Sequence, residues 1–249
     1  MKRSPARPSG LVVPGLFAAA AFTMLVGLGI WQLERKAWKE QLIETLTQRI
    51  AAPPSALPSR ASWARLSQAD AEFRRVTVRL EFIPAPEGRV YTGGSALRAD
   101  VSQPGYFVFS PARLADGDLV VVNRGYVANP HPHRDTRPVA RQQGVIEIVG
   151  VLRWPEPRAW FLPEHDLKSD IWFVRDPHAM AAAYDWATQA PFYIEQEAPV
   201  PPGGSPRPGK LKTNLPNNHL EYALTWFGLA AALTGVFAVF AWQKLKQSA

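Results

Sequence analysis

Two uncharged apolar runs, one near each end of the chain, constrain it more than anything between them. LVVPGLFAAAAFTMLVGLGIWQL covers Leu11–Leu33, and YALTWFGLAAALTGVFAVFAW covers Tyr222–Trp242. At about 1.5 Å per residue, each is long enough to cross a hydrocarbon core of about 30 Å as a helix. A cleaved secretory signal is the competing reading of the first run, because Lys2, Arg3 and Arg7 form a basic leader. The run is long for a signal's apolar core and leads straight into a charged helical pattern, so an uncleaved anchor is expected. Two spans put both termini on one side. Basic residues flanking the spans are closely matched, and a long loop is translocated largely regardless of charge. The N-terminal tail has three basic residues and no acid, which favours cytoplasmic termini.

The expected class is an α+β membrane protein, with two transmembrane helices flanking a mainly antiparallel β domain, barrel-like or sandwich-like, outside the cytoplasm. Its segments are a cytoplasmic tail over 1–10, a first transmembrane helix over 11–33 and an amphipathic helical extension over 34–52. An extracytoplasmic β-rich domain follows over 53–197, then a Pro/Gly-rich linker over 198–216. A second transmembrane helix with its capped start covers 217–242, and a cytoplasmic tail covers 243–249. The extension is read from Trp31, Trp38, Leu42, Leu46 and Ile50, which fall near one helical face. Pro53 and Pro54 end it.

Small residues recur at every fourth position in the spans: Gly15, Ala19, Thr23 and Gly27, then Ala230, Thr234 and Ala238, with Ala231 and Gly235 beside them. Such stripes let helix backbones approach in lipid, so the spans are expected to pack on each other or on a partner's helices. An Ala-rich composition without a partner face is the alternative.

Between the spans, RRVTVRLEFIP alternates strictly, with Val76, Val78, Leu80 and Phe82 on one side. RVYTGG near Val90 is its candidate partner. GYFVFSP and DLVVVNRGYV are two strands split by ARLADGD, and GVIEIVGVLRWP, DIWFVRD and PFYIEQE supply three more. PHAMAAAYDW reads as a short helix with Pro177 near its first turn. Strands following strands through short turns point to an antiparallel barrel or sandwich.

Cysteine is absent, which excludes disulfides, thiolate metal sites, c-type haem attachment and cysteine catalysis within this chain. The net charge of +7 suits an anionic membrane surface, and no nucleic-acid-binding motif accompanies it, so nucleic acid is not an expected partner. No phosphate-binding loop, dinucleotide fingerprint, nucleophile elbow or zinc-protease motif occurs, and an enzyme is not expected. His131 and His133 form a weak metal-binding possibility within a proline-rich turn. The carboxylate pairs Asp70/Glu72, Glu164/Asp166 and Glu195/Glu197 read as loops or solvent-facing strand positions. Arg124 in VNRGY sits at a strand end with a turn or bulge at Gly125, or else meets a partner or a propionate. In NNHLEYALTWF, an Asn cap starts the second span, and His219, Tyr222, Trp226 and Leu229 share a face. His219 is either an interfacial histidine with a hydrogen-bond partner or an axial ligand for haem iron.

Four stretches are similar to the Surfeit-locus-one family of cytochrome c oxidase assembly proteins: LGIWQLERKAWKEQLI, GYFVFSPARLADGDLVVVNRGYV, GVLRWPEPRAWF with DIWFVRDPHAM, and NNHLEYALTWFGLA. The family pattern also includes Trp31, Gln32, Arg35, Gly105, Asn123, Arg124, Gly125, Tyr222 and Trp226, and Tyr126 stands where the family often has tryptophan. The resemblance implies a bacterial member in the inner membrane with its main domain in the periplasm. It implies an assembly factor that binds haem a and aids its insertion into the oxidase core subunit, alongside other assembly factors and membrane lipid. His219 is by position the implied metal ligand. Trp31, Tyr222 and Trp226 would shape the pocket, and Arg35 and Arg124 would meet propionates. The rival expectation is a cofactor-free scaffold that stabilises an oxidase intermediate.

Overall fold

The computed structural model describes residues 9–128, 144–163, 165, 170–212 and 215–248. His131, His133, Glu164 and Asp166 therefore lie outside the described residues. Of the described residues, those within Met1–Glu44 and Pro216–Ala249 form one compact unit, and those within Thr45–Leu215 form the other.

In the first unit, α1 (Ser9–Ala51) runs without a break through the expected span and its extension, crossing into the second unit's residues. The other helix of this unit is α4 (His219–Ser248). Both are long and apolar enough to cross a membrane, as expected for a two-span membrane protein. Three hydroxyls inside these helices turn back onto their own backbone: Thr23 Oγ1 donates to Ala19 O, Thr225 Oγ1 to Glu221 O and Thr234 Oγ1 to Ala230 O, at 2.8–2.9 Å. Each is satisfied without water, as lipid requires.

The second unit begins with β1 (Ser55–Ala56), a 3-10 turn at Arg60–Arg65 and α2 (Gln68–Ala71). It continues with β2 (Arg75–Phe82), β3 (Gly88–Thr92), β4 (Gly105–Leu114), β5 (Leu119–Ala128), β6 (Val145–Arg153) and β7 (Ile171–Trp172), then α3 (Pro177–Tyr184) and β8 (Tyr193–Ala198). Five strands close a ring in the order β2–β6–β8–β5–β4, with β4 returning to β2. All these pairings are antiparallel except β5–β8. Counted along the chain within the ring alone, the closed order is first, second, third, fifth, fourth, which is the connectivity of an OB-type Greek-key barrel. The barrel alternative is thus the observed one.

β4 is the corner strand. Its C-terminal half pairs with β2, while its N-terminal half pairs with β3. RVYTGG is therefore a partner of β4 and of β7, and not of β2. Alternation in β2 fixed its inward face but carried no information about which neighbour it takes.

One apolar cluster fills the barrel with Val76, Val78 and Leu80 of β2, Val120 and Val122 of β5, Ile148 and Leu152 of β6, and Ile194 of β8. Trp63 plugs it and meets Phe192 edge-on, with ring centroids 5.3 Å apart. A second cluster on the outer face of β4 and β5 takes Phe107, Phe109, Val121 and Tyr126 under α3's Met180. β5 is thus buried on both faces, which explains why LVVV runs apolar without alternating. At about 25 cal/mol per Å² of apolar surface, each fully buried large side chain contributes roughly 1.5–3 kcal/mol. Pro177 occupies the first turn of α3, as expected, and the structure adds a cap: Asp176 accepts from the backbone N–H groups of His178 and Ala179.

Glu195 and Glu197 correct the expectation of a solvent-facing strand side. Both are buried in β8, where Glu195 pairs with Arg153 at 3.0 Å and Glu197 with Arg75 at 2.8 Å. β8 is covered on both faces, so its carboxylates need cations from neighbouring strands. Burial opposes the Arg153 charge, but Tyr193, Glu195, Glu72 and Glu156 outweigh it and hold the guanidinium protonated above the usual arginine range. Asp70 and Glu72 also have structural partners: Ser67 caps α2 by accepting from Asp70 N–H, and Glu72 accepts from Arg153 of β6.

The Pro/Gly-rich stretch after β8 is strapped to the barrel. Tyr126 and Arg207 exchange two backbone hydrogen bonds of 2.9 and 2.8 Å, and Lys212 N–H donates to Leu97 O. Arg98, 1% exposed, donates to both oxygens of Asp100 and to Arg207 O. The hydrogen bonds from Arg98 to the Asp100 oxygens, with the Arg98 charge, hold that carboxyl below the usual range against a smaller burial penalty. The expected bulge is present: Val108 pairs with Gly125 and Phe109 with Asn123, which leaves Arg124 as the extra residue. Gly125 has φ +121°, and a Cβ there would lie 2.2 Å from Arg207 O.

Gly125→Ala combines backbone strain with a clash against the strap. It is expected to cost about 2–4 kcal/mol, read as a fall of several degrees in the thermal transition of the detergent-solubilised chain. An unchanged transition would mean that the strap does not cross Gly125.

Candidate functional site

Covered positions on α1 recur at Leu11, Gly15, Ala18, Leu25, Gly29, Gln32, Lys36 and Lys39, flanked by Pro14, Val26 and Leu28, and on α4 at His219, Ala223, Trp226, Ala230, Leu233, Phe237 and Phe240, flanked by Phe227 and Ala241. The spacing alternates between three and four, with a double step across Phe22, which is the seam of a helix pair with a repeat of about 3.5 residues. The helices run antiparallel, because Gly15 faces Phe237, Gly29 faces Phe227, Gln32 meets His219 and Lys39 meets Pro216. Of the glycines in the two helices, Gly29 has the tightest neighbour: a Cβ there would lie 2.5 Å from a Phe227 ring carbon.

This pairing bears out the expectation that the spans pack on each other, but through a different face. Gly15 and Ala230 lie in the seam, whereas Ala19, Thr23, Gly27 and Ala238 are exposed. Nothing comes within 4 Å of a Cβ built on Gly27 or Gly235. A strict period of four gains about 40° per step on a helix of 3.6 residues per turn, so the stripe rotates away from a partner followed at 3.5.

His219 occupies the first seam position of α4. Tyr222 N–H donates to Asn218 O at 3.2 Å, which makes Asn218 the capping position, in line with the expected Asn start. The His219 Nδ1 lies 2.7 Å from Gln32 Oε1, and the imidazole is half-buried. Its Nε2 has no described hydrogen-bond partner. Two residues upstream, Asn217 Oδ1 is buried without a partner. Lys39 Nζ donates to Pro216 O at 2.6 Å, so a second polar contact ties the chain entering α4 to α1.

The expected aromatic face divides. Trp226 is half-buried in the seam, but Tyr222 is 56% exposed and Leu229 48%. From His219, i+4 and i+7 (Ala223 and Trp226) turn toward α1, while i+3 turns outward. Trp31 is 53% exposed, and Arg35 is exposed with its guanidinium 3.9 Å above the Trp38 ring. Arg124 belongs to the β unit, where it is buried, lies 3.2 Å from Glu87 and stacks over Phe82 at 4.5 Å. Its charge is already met inside the domain.

Sequence reasoning passed over Gln32 as a structural partner of His219. Apolar spacing read at 3.5 would have placed this polar side chain in a seam between Gly29 and Lys36. There it must meet a group on the facing helix or go unsatisfied.

A single imidazole with one nitrogen tethered and the other free can complete the coordination of a metal whose remaining ligands come from elsewhere. A porphyrin supplies four such ligands, so the donor chemistry at His219 fits haem. Among the described residues, no three His, Asp or Glu side chains gather to hold a bare ion.

The architecture is thus a membrane-type helix pair, with a polar contact at one end, joined in one chain to a closed β barrel. The chain belongs to the SURF1 family, whose pattern it matches over residues 19–231. It is 36% identical over 219 residues to the SURF1-like protein of Drosophila melanogaster, covering 83% of this chain and 70% of that one. It is 33% identical over 219 residues to Surfeit locus protein 1 of Takifugu rubripes, covering 83% and 88%. The corresponding figures for Surfeit locus protein 1 of Homo sapiens are 32% over 219 residues, covering 83% and 70%. Membership supports a role in cytochrome oxidase assembly.

Two substitutions separate the seam from the small-residue stripe. With cysteines at positions 15 and 237 of this cysteine-free chain, Gly29→Leu is expected to suppress interhelical crosslinking by a short bis-maleimide and Gly27→Leu to leave it unchanged, read by gel mobility. Equal crosslinking in both would remove Gly29 from the contact. Arg124→Gln breaks the buried ion pair with Glu87 and the stack over Phe82. It is expected to destabilise the β domain by roughly 3 kcal/mol, measured by thermal unfolding of the full chain.

Proposed function

We propose that the chain binds haem a through His219 Nε2 and presents it to the core subunit of cytochrome c oxidase during assembly. The observation that carries this reading is the tethered imidazole: Nδ1 is taken by Gln32 at 2.7 Å, and Nε2 has no described hydrogen-bond partner. Haem a is cargo here, and the iron chemistry it supplies belongs to the oxidase. The chain's own part is to hold the imidazole at the start of α4. Trp31, Tyr222 and Trp226 offer aromatic surface to a macrocycle, and Arg35 on α1 offers a cation to its propionates. Arg124 is committed to Glu87 within the barrel and has no part in this reading. The proposal places the protein in a bacterial inner membrane, with both termini cytoplasmic and the barrel in the periplasm. Its partners are the core subunit, other assembly factors and lipid, and no nucleic acid. It performs no catalytic turnover.

One observation favours a second reading, a cofactor-free scaffold. The exposed Ala19–Thr23–Gly27 face is free to take another protein's helix. Purification from cells that make haem a separates the two. Haem binding gives a Soret band in wild type that is lost or shifted in His219→Ala. A colourless wild-type protein, or a spectrum indifferent to His219→Ala, overturns it. The scaffold instead predicts normal oxidase assembly in His219→Ala and failed assembly in Gly27→Leu.

A further inference from the structure

We propose that Gln32 is the positioning residue for His219: its amide oxygen accepts the Nδ1 proton and commits the neutral imidazole to the tautomer whose Nε2 lone pair is free to ligate. The inference rests on the haem reading above and names the device that prepares its ligand.

The geometry is that of a full hydrogen bond, 2.7 Å from Nδ1 to Oε1, between residues 187 positions apart in the chain. Both sit in the seam, where each packs against the facing helix. A neutral imidazole carries one proton on two nitrogens, and the partner of one nitrogen decides the state of the other. If Gln32 accepts at Nδ1, the proton is there and Nε2 is a lone pair. If the amide turns and donates its NH2 to Nδ1, the proton moves to Nε2 and ligation through that atom is blocked. Only the accepting arrangement is compatible with binding at Nε2, so binding and the Gln32 hydrogen bond reinforce each other.

The side chain has no competing hydrogen bond among the described residues. Lys36, one turn along α1, is already engaged with Glu40 at 2.7 Å, and Lys39 reaches Pro216 O. The tether also fixes the plane of the ring, because one end of the imidazole is held from α1 while its backbone is held in α4. An outer partner of this kind typically changes metal affinity by about 10–100-fold when removed.

The experiment reads the tautomer without any haem. Protein labelled with 15N-histidine in detergent is compared with His219→Ala to assign the His219 ring signals. Wild type is expected to show the Nδ1–H form, Gln32→Leu a mixture of both forms, and Gln32→Glu, which keeps an acceptor, the Nδ1–H form again. The cysteine crosslink between positions 15 and 237 confirms that the helices still pair in each variant. In haem-loaded protein, Gln32→Leu should bind roughly 10–100-fold more weakly. Gln32→Glu should retain affinity and lower the iron reduction potential, because a stronger acceptor makes the ligand more basic. A wild-type Nε2–H tautomer, or a Gln32→Leu tautomer equal to wild type, overturns the role of Gln32. An absent Soret band with the expected tautomers would instead overturn the haem reading and leave the Gln32 device standing.

Discussion

Closure of the β barrel depends on β8. This strand joins β6 on one side and β5 on the other, and without it the ring opens into a single curled sheet with β6 and β5 as bare edges. Being covered on both faces, it must find partners for everything polar that it carries. Arg153 and Arg75, from the adjacent β6 and from β2, supply the cations for Glu195 and Glu197. Buried ion pairs contribute little net stability, but a mispaired one is costly, so these contacts set register more than they add strength. The bulge at Arg124 and the strap over Gly125 then follow from the same ring, since the strap's backbone bonds are made to the neighbouring strand β5.

The helix pair is governed by a different rule. Lipid offers no hydrophobic gain for bringing apolar helices together, so close packing and a few polar contacts must hold them. Gly29 provides the close packing by admitting the Phe227 ring, and the Gln32–His219 pair provides a polar contact at one end. The same pair is the chemically distinctive feature of the unit. A contact that helps hold the helices together and the arrangement proposed to prepare a ligand are one hydrogen bond.

The sequence revealed those features whose environments differ across an element. β2 was legible because one face is wet and the other dry, and α3 because a proline in the first turn is local chemistry. β8 was misread because strands buried on both faces do not alternate, and carboxylates two residues apart then look like a solvent face. The partner of β3 was illegible because pairing is decided by the bend of β4, thirteen or more residues further along. At the candidate site, His219 stood out by residue type and by family resemblance. Gln32 could be understood only once the seam was read at 3.5 residues, and the outward turn of Tyr222 only once the direction of α1 was known.

The ring order also sets when the barrel can exist during synthesis. β2 emerges more than a hundred residues before β8, and until β8 arrives β5 and β6 each present a bare row of backbone donors and acceptors. Such edges are templates for pairing with other chains. A chain cut short before Tyr193 would therefore be more than a weakened version of this protein. It would carry two sticky margins, and its natural fate would be aggregation or removal by quality control.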